Sequence, residues 1–411
     1  MNQPLTITLW DFSWYTRTAP GAPFHDLSAA FDEAAERGYN TVRICAMPYL
    51  LFGSGLDTSA LTFTGLGGRY GQRTRWYDVS TPATIDGRAW LLALFRAARQ
   101  HDFRVIVSSW EYQQSPAFLA DDSWHRALQA VPLAQRPLAL ADALADLVDL
   151  LRAEDLDQTV AFVELHNEVQ ASRLNPGSGI LGLRAPLEAG IDRFKARHPG
   201  VPVTANYARV PVGEMRALPR NADVAVFHPY VYGVLGQLVD EFALRTESRP
   251  YPQARAYEEL LRDGAPPLDE WEPPAADRWR LDATVVRRRE VYTHDWCDPV
   301  KWDRWLYDRY GEHRRAMAST LETWITVAAD WAAAGEIPLV FGEGWVGYTP
   351  LHATFEEGPV GSEICSLAMR LSAAARAWGT IVCSNAAPQH PMWQDVTLQR
   401  RLNDEFRKGV G

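Results

Sequence analysis

Three observations predict that this 411-residue chain folds as an α/β protein, a single (β/α)8 TIM barrel. Eight short runs of β-branched and other apolar residues recur along it, each followed by a connection that in most cases is helical in period. Alternating strands and helices imply a parallel sheet with right-handed crossovers. The third observation is a missing signal: no glycine fingerprint follows the first run, and eight repeats exceed the five or six strands of an open dinucleotide-binding sheet.

In chain order the first strand is expected over 5–14, where it runs into Trp10-Asp11-Phe12-Ser13-Trp14. A helix over 27–37 follows, stopped at Arg37-Gly38, and the second strand spans 41–48. Asp86 opens the helix 86–101, which leads to the third strand at 104–111. Helix 138–153 precedes strand 159–168, helix 180–198 precedes strand 201–207, and helix 212–218 precedes strand 223–230. The seventh strand, 337–345, comes after helix 312–334; the eighth, 379–385, comes after helix 362–378; helix 395–407 closes the chain.

Two stretches break the repeat. Residues 49–85 are rich in Gly and Thr, and 231–311 carry many Pro, Arg, Glu and Trp. Together they take roughly 120 residues and leave a barrel of about 290, near the usual size. Each follows a strand, so the expected arrangement is one catalytic domain, 1–411, with two insertions over the C-terminal face as lids or substrate walls.

A net charge of -10 argues against a protein held to nucleic acid by backbone phosphates. The start lacks the pattern of a secretory leader and no long apolar run could span a bilayer, so a cytoplasmic protein without membrane contact is expected. Cys45, Cys297, Cys365 and Cys383 show no CxxC spacing and read as buried free thiols. His294-Asp295-Trp296-Cys297-Asp298 has metal-ligand types in the wrong spacing for a zinc motif, so no metal and no cofactor is expected. Gly65-Leu-Gly-Gly-Arg-Tyr-Gly71 follows no strand and opens no helix, which disfavours a phosphate cradle; Arg69, Arg73 and Arg75 read as a solvated loop. Arg287-Arg288-Arg289-Glu290 reads as an exposed helical face. Nothing in the sequence speaks to oligomeric state.

In such a barrel the site forms where strands end. Those ends offer Trp10, Asp11 and Trp14; Arg43; Trp110, Glu111 and Gln113; His166, Asn167 and Glu168; Asn206 and Tyr207; His228 and Tyr230; Glu343 and Trp345; then Asn385, with His390 and Trp393 just beyond. Two glutamates, Glu168 and Glu343, each close an apolar run. Paired carboxyls on a rigid frame suit glycosidic bond cleavage, in which one donates a proton and the other attacks or stabilises the anomeric carbon.

These residues resemble the retaining (β/α)8 glycoside hydrolases of clan A, in particular cellulase-like, family 5-like members. Asn167-Glu168 on the fourth strand and Glu343 on the seventh carry the resemblance, with Arg43, His228-Pro229-Tyr230 and a Trp after the eighth strand in support. It covers the barrel, from about residue 5 to 407, and not the two insertions. It implies Glu168 as acid/base, Glu343 as nucleophile and Asn167 as donor to the sugar 2-hydroxyl. It further implies Arg43 and Tyr230 as partners of the nucleophile and His228 as a lining residue. The family's third strand often ends in His, where this chain has Trp110-Glu111.

Each single motif has a plainer reading, because an Asn-Glu pair is common and a Glu after a strand can cap a helix. Glu111 could bind sugar hydroxyls or pair with an arginine behind the site. Glu164, on the face of Glu168, is expected to be buried and paired, and His166 to be a hydrogen-bonded structural residue. Trp10, Trp110, Trp345, Trp393 and Asn206 complete the expected carbohydrate-binding set, and one or two of Trp271, Trp279, Trp296, Trp302 and Trp305 would stack on sugar. The reading is a retaining β-glycosidase acting on an oligosaccharide or small glycoside. The rivals are a catalytically silent sugar-binding barrel and a transglycosidase with the same residues.

Overall fold

The computed structural model describes residues 3–64, 79, 81–347, 349–350 and 352–410; Gly65–Gly71, Arg69, Arg73 and Arg75 lie outside them. Eight staves form a parallel barrel: Leu5–Asp11, Thr41–Cys45, Arg104–Ser108, Val160–Glu164, a split fifth, Ala225–Phe227, Leu339–Phe341 and Gly379–Ile381. The fifth consists of Val203–Thr204 and Asn206–Tyr207. Its first half pairs with the fourth strand (Glu164 with Thr204) and its second with the sixth (Asn206 with Val226), so the hoop closes through Ala205. The first strand pairs with both the second and the eighth, which joins the two ends of the chain.

Every expected strand is present, and each stops short of its expected C-terminal end or splits. The residues just past the ladders, such as 165–168 and 342–345, leave extended geometry where the barrel rim turns into loops. The helices also fall where expected, with two differences. Residues 212–218 form only the short 3-10 turn Met215–Ala217, and the helix before the seventh strand starts at Pro299 and runs to Ala334. Its extra turns reach into the stretch assigned to the second insertion. Asp298 explains that start, since its carboxylate accepts from Val300 N at 2.9 Å and Pro299 suits the first helical turn. Asp86 caps its helix in the same way, through Ala89 N at 2.9 Å.

Within 49–85, Leu61–Phe63 and Ala83–Ile85 form a small antiparallel pair. Within 231–311, Arg288 and Arg289 are not a solvated face. Arg288 donates to the carbonyls of Leu268 and Trp271, and Arg289 to those of Ala243, Thr246 and Arg249. An arginine with five donors ties several loop carbonyls at once, a role periodicity cannot reveal. Trp271, Trp302 and Trp305 are buried in packing, and Trp279 and Trp296 lie beside Arg280 and Arg262. All four cysteines are free and buried. Among the described residues no helix is long and apolar enough to cross a membrane.

Candidate active site

Arg43, fully buried on the second strand, organises the rim. Its Nη1 donates to Glu343 Oε1 at 2.6 Å, Nη2 to Glu164 Oε2 at 2.6 Å and to Asn167 Oδ1 at 2.7 Å, and Nε to Glu164 Oε2 at 3.0 Å. Side chains at the ends of the fourth and seventh strands therefore converge on this one guanidinium of the second strand, whose rigid fork fits several carboxylate oxygens. Glu164 is buried and ion-paired, as its position below Glu168 implies.

Glu343 takes a second donor on its other oxygen, Tyr230 Oη at 2.7 Å, and the phenol also meets Ser384 Oγ at 2.7 Å. Glu168 has a different environment. Gln113 Nε2 lies 3.0 Å from its Oε2 and His228 Nδ1 3.3 Å from its Oε1. Burial pushes its carboxyl up from 4.5 to about 7, with Gln113 and the more distant Arg43 and Arg245 opposing. His228, wholly buried, is pushed down to about 4 and is thus neutral near pH 7.

One ligating atom from each of Glu168, His228 and Glu343 lies within 4.8 Å of the other two. Such a trio could gather a cation, but Arg43 and Tyr230 already donate to both oxygens of Glu343. The arrangement instead offers two carboxyls facing one another, one beside a cation and one held protonatable by desolvation.

A family model matches the part of the chain that carries Arg43, Asn167 and Glu168. The cellulase-like family, described as sugar-binding cellulase-like, matches residues 7–223, which is 217 of the 411 residues. The chain belongs to that cellulase-like family. A candidate glycoside hydrolase from Parabacteroides distasonis superposes on this cellulase-like chain with a TM-score of 0.70 at 19% identity, over 99% of this chain and 94% of that one. A tri-modular family 5 endo-β-1,4-glucanase from Bacillus licheniformis gives a TM-score of 0.50 at 12% identity, over 99% of this chain and 60% of that one. At such identities the likeness is one of fold. Comparison with curated proteins gave no match.

The cellulase-like chain does not use every residue its sequence suggested. Trp10 is buried between Phe24 and Phe31, with centroids 5.0 and 4.6 Å away, because it alternates outward toward the helices while Leu9 pairs beside Arg43. Trp393 stacks on Tyr39 at 5.9 Å and donates to Glu33 Oε2 at 2.7 Å, outside the rim. Trp345, although next but one to Glu343, is buried and donates to Val382 O at 2.9 Å. Trp110 is buried with its ring under Arg43, 4.5 Å from the guanidinium carbon, so it supports the arginine and offers sugar no open face.

Glu111 is spent on protein donors and makes no ion pair with an arginine among the described residues. It accepts from Tyr49 N at 3.1 Å, Leu50 N at 2.8 Å and Ser109 Oγ at 2.9 Å, which pins the turn Tyr49–Gly53. Asn206 is fully buried and spent on protein. Its Nδ2 donates to Glu164 Oε2 at 2.7 Å and its Oδ1 accepts from Glu168 N at 2.6 Å. That last bond holds Glu168 at φ 43°, a left-handed conformation unusual for a non-glycine residue. His166 is structural, accepting from Tyr112 N at 3.0 Å.

Gln113 is the residue that sequence reading undervalued. Its amide bridges the two members of the Asn-Glu pair, accepting from Asn167 Nδ2 at 2.9 Å while donating to Glu168. It sits two residues past Glu111, in the turn after the third strand, where only strand-end position marks it. A cavity of about 700 Å³ opens beside Glu168, with Gln113, Gln170, Arg209, Tyr230 and Arg245 in its lining; Glu343 is not among the lining residues.

Proposed function

We propose that the protein is a retaining β-glycoside hydrolase that cleaves an oligosaccharide or small glycoside by double displacement. The observation that carries this is the spacing of Glu168 and Glu343, whose nearest oxygens lie within 4.8 Å. Retaining enzymes hold their carboxyls about 5–5.5 Å apart, whereas inverting ones need about 6.5–9.5 Å to admit water. Glu343 attacks the anomeric carbon as the glycosidic C–O bond breaks, and Glu168 gives its proton to the departing oxygen. Esterification removes the charge of Glu343, Glu168 ionises, and it then draws a proton from the water that releases the sugar.

Arg43 and Tyr230 aim Glu343, and neutral His228 lies between the two carboxyls. Asn167 Nδ2 gives one hydrogen to Gln113 and keeps a second for the sugar 2-hydroxyl. The test is labelling with 2-deoxy-2-fluoro glycosides of several configurations, followed by peptide mapping and NMR of the first-formed anomer. A sugar adduct on Glu343 and retained configuration are expected. An inverted first product sinks the reading.

A further inference from the structure

The cavity beside Glu168 is positively charged in a protein whose net charge is -10. Its charged lining residues are Arg209, Arg245, Arg287, Glu168 and Glu290. Glu290 is spent on Arg245, whose Nε lies 2.8 Å from its Oε1. Arg209, from the loop after the fifth strand, and Arg287, from the stretch before the helix Arg288–Asp295, are both exposed and make no ion pair or side-chain hydrogen bond with the described residues. Two loops far apart in sequence thus bring uncompensated guanidinium groups to one cavity.

A second, independent observation points to a ligand there. Gln170 lines the same cavity, and both its amide nitrogen and its amide oxygen are shielded from solvent without a hydrogen-bond partner among the described residues. A shielded amide left unpaired is costly unless a bound group satisfies it. Trp324, Met317, Val285 and Val286 add apolar surface of the kind a sugar ring packs on.

The cavity's position names the part of the substrate. It opens on Glu168, which protonates the departing oxygen, and Glu343 does not line it. The sugar seated there is therefore on the leaving-group side of the scissile bond. We propose that this is a subsite for an anionic leaving-group sugar, one bearing a carboxylate, sulfate or phosphate held by Arg209 and Arg287 and oriented by Gln170. This inference rests on the hydrolytic reading above only for the direction of the bond, not for the recognition of the anion.

The test uses β-linked disaccharides identical except at the reducing-end residue: a hexose, the hexuronate, the hexose 6-sulfate and the hexose 6-phosphate. The wild type should show at least one anionic disaccharide with kcat/KM about 10- to 100-fold above the neutral one, the span expected for charge-assisted contacts. That ratio should shrink as salt is raised. In the double variant Arg209→Gln, Arg287→Gln the ratio should fall toward 1, whereas Arg96→Gln, on a distant surface pair with Glu154, should keep it. Titration calorimetry of the same sugars against Glu343→Gln reads recognition without turnover. Tighter anionic binding that the arginine substitutions remove, with no wild-type hydrolysis, would keep this subsite and defeat the hydrolase reading. Hydrolysis with no anionic preference, or binding of no anionic sugar at millimolar concentration, would overturn the subsite.

Discussion

Glu168→Ala tests the division of labour between the carboxyls. With its carboxyl raised from 4.5 to about 7, Glu168 is about half protonated at pH 7; at the ordinary value only about 0.3% would carry the proton. Burial thus raises the competent fraction roughly 150-fold, equivalent to about 3 kcal/mol against the ionised form. The assay is kcat/KM, which reports the first bond cleavage, measured from pH 5 to 9 on an alkyl glycoside and on a dinitrophenyl glycoside. The alkyl substrate needs the proton and should lose about 10²- to 10⁴-fold in the variant, along with the basic limb near pH 7. The dinitrophenyl substrate leaves without help and should lose less than about 10-fold. Equal losses on both substrates, or a basic limb that survives the substitution, would refute the argument.

Gly342→Ala would place a Cβ 2.9 Å from His228 Nε2 and 3.4 Å from Arg43 Nε, so it should cost about 1–3 kcal/mol and lower kcat by displacing both; an unchanged melting temperature and rate would contradict the packing described. Glu111→Ala should destabilise by about 2–4 kcal/mol, because two backbone amides and a hydroxyl lose their acceptor, and denaturant unfolding would detect it. Trp393→Ala should lower stability by about 3–5 kcal/mol yet leave KM for small glycosides near wild type; a selective rise in KM would restore Trp393 to the site. Asp11, Glu111 and Glu168 all have folded values raised to about 7 by burial, so each favours the fold below the unfolded value, near 4, and loses that contribution as pH rises through 7. Glu168→Gln should therefore flatten the decline in melting temperature between about pH 4.5 and 8, and a steeper decline would reverse the sign.

Residues at strand ends were legible because the barrel converts position along the chain into position at the rim. Arg43, Asn167, Glu168, His228, Tyr230 and Glu343 meet for that reason. The aromatic residues were not, since a Trp in one dimension looks the same whether it faces sugar or a helix. Trp10 shows the remedy: it lies one residue from Leu9, which pairs beside inward-facing Arg43, so strand alternation alone turns it outward. Glu111 was opaque for another reason. Its partners are backbone amides of Tyr49 and Leu50, and no side-chain identity announces a free amide. The start of the long helix was hidden by the Pro and Trp content around it, although Asp298-Pro299 is itself a start signal.

The guanidinium of Arg43 has two anions, Glu343 at 2.6 Å and Glu164 at 2.6 Å, and only the first takes part in the proposed chemistry. When Glu343 becomes an ester, a buried cation with that single partner would be stranded in a medium that tolerates bare charge poorly. Glu164, fully buried and not among the residues that line the cavity, would keep it company through both halves of the proposed cycle. In the proposed cycle the number of anions on Arg43 would alternate between two and one and never reach zero. A silent, fully buried glutamate on the fourth strand would thus let the protein switch off the charge of Glu343 without stranding its opposite.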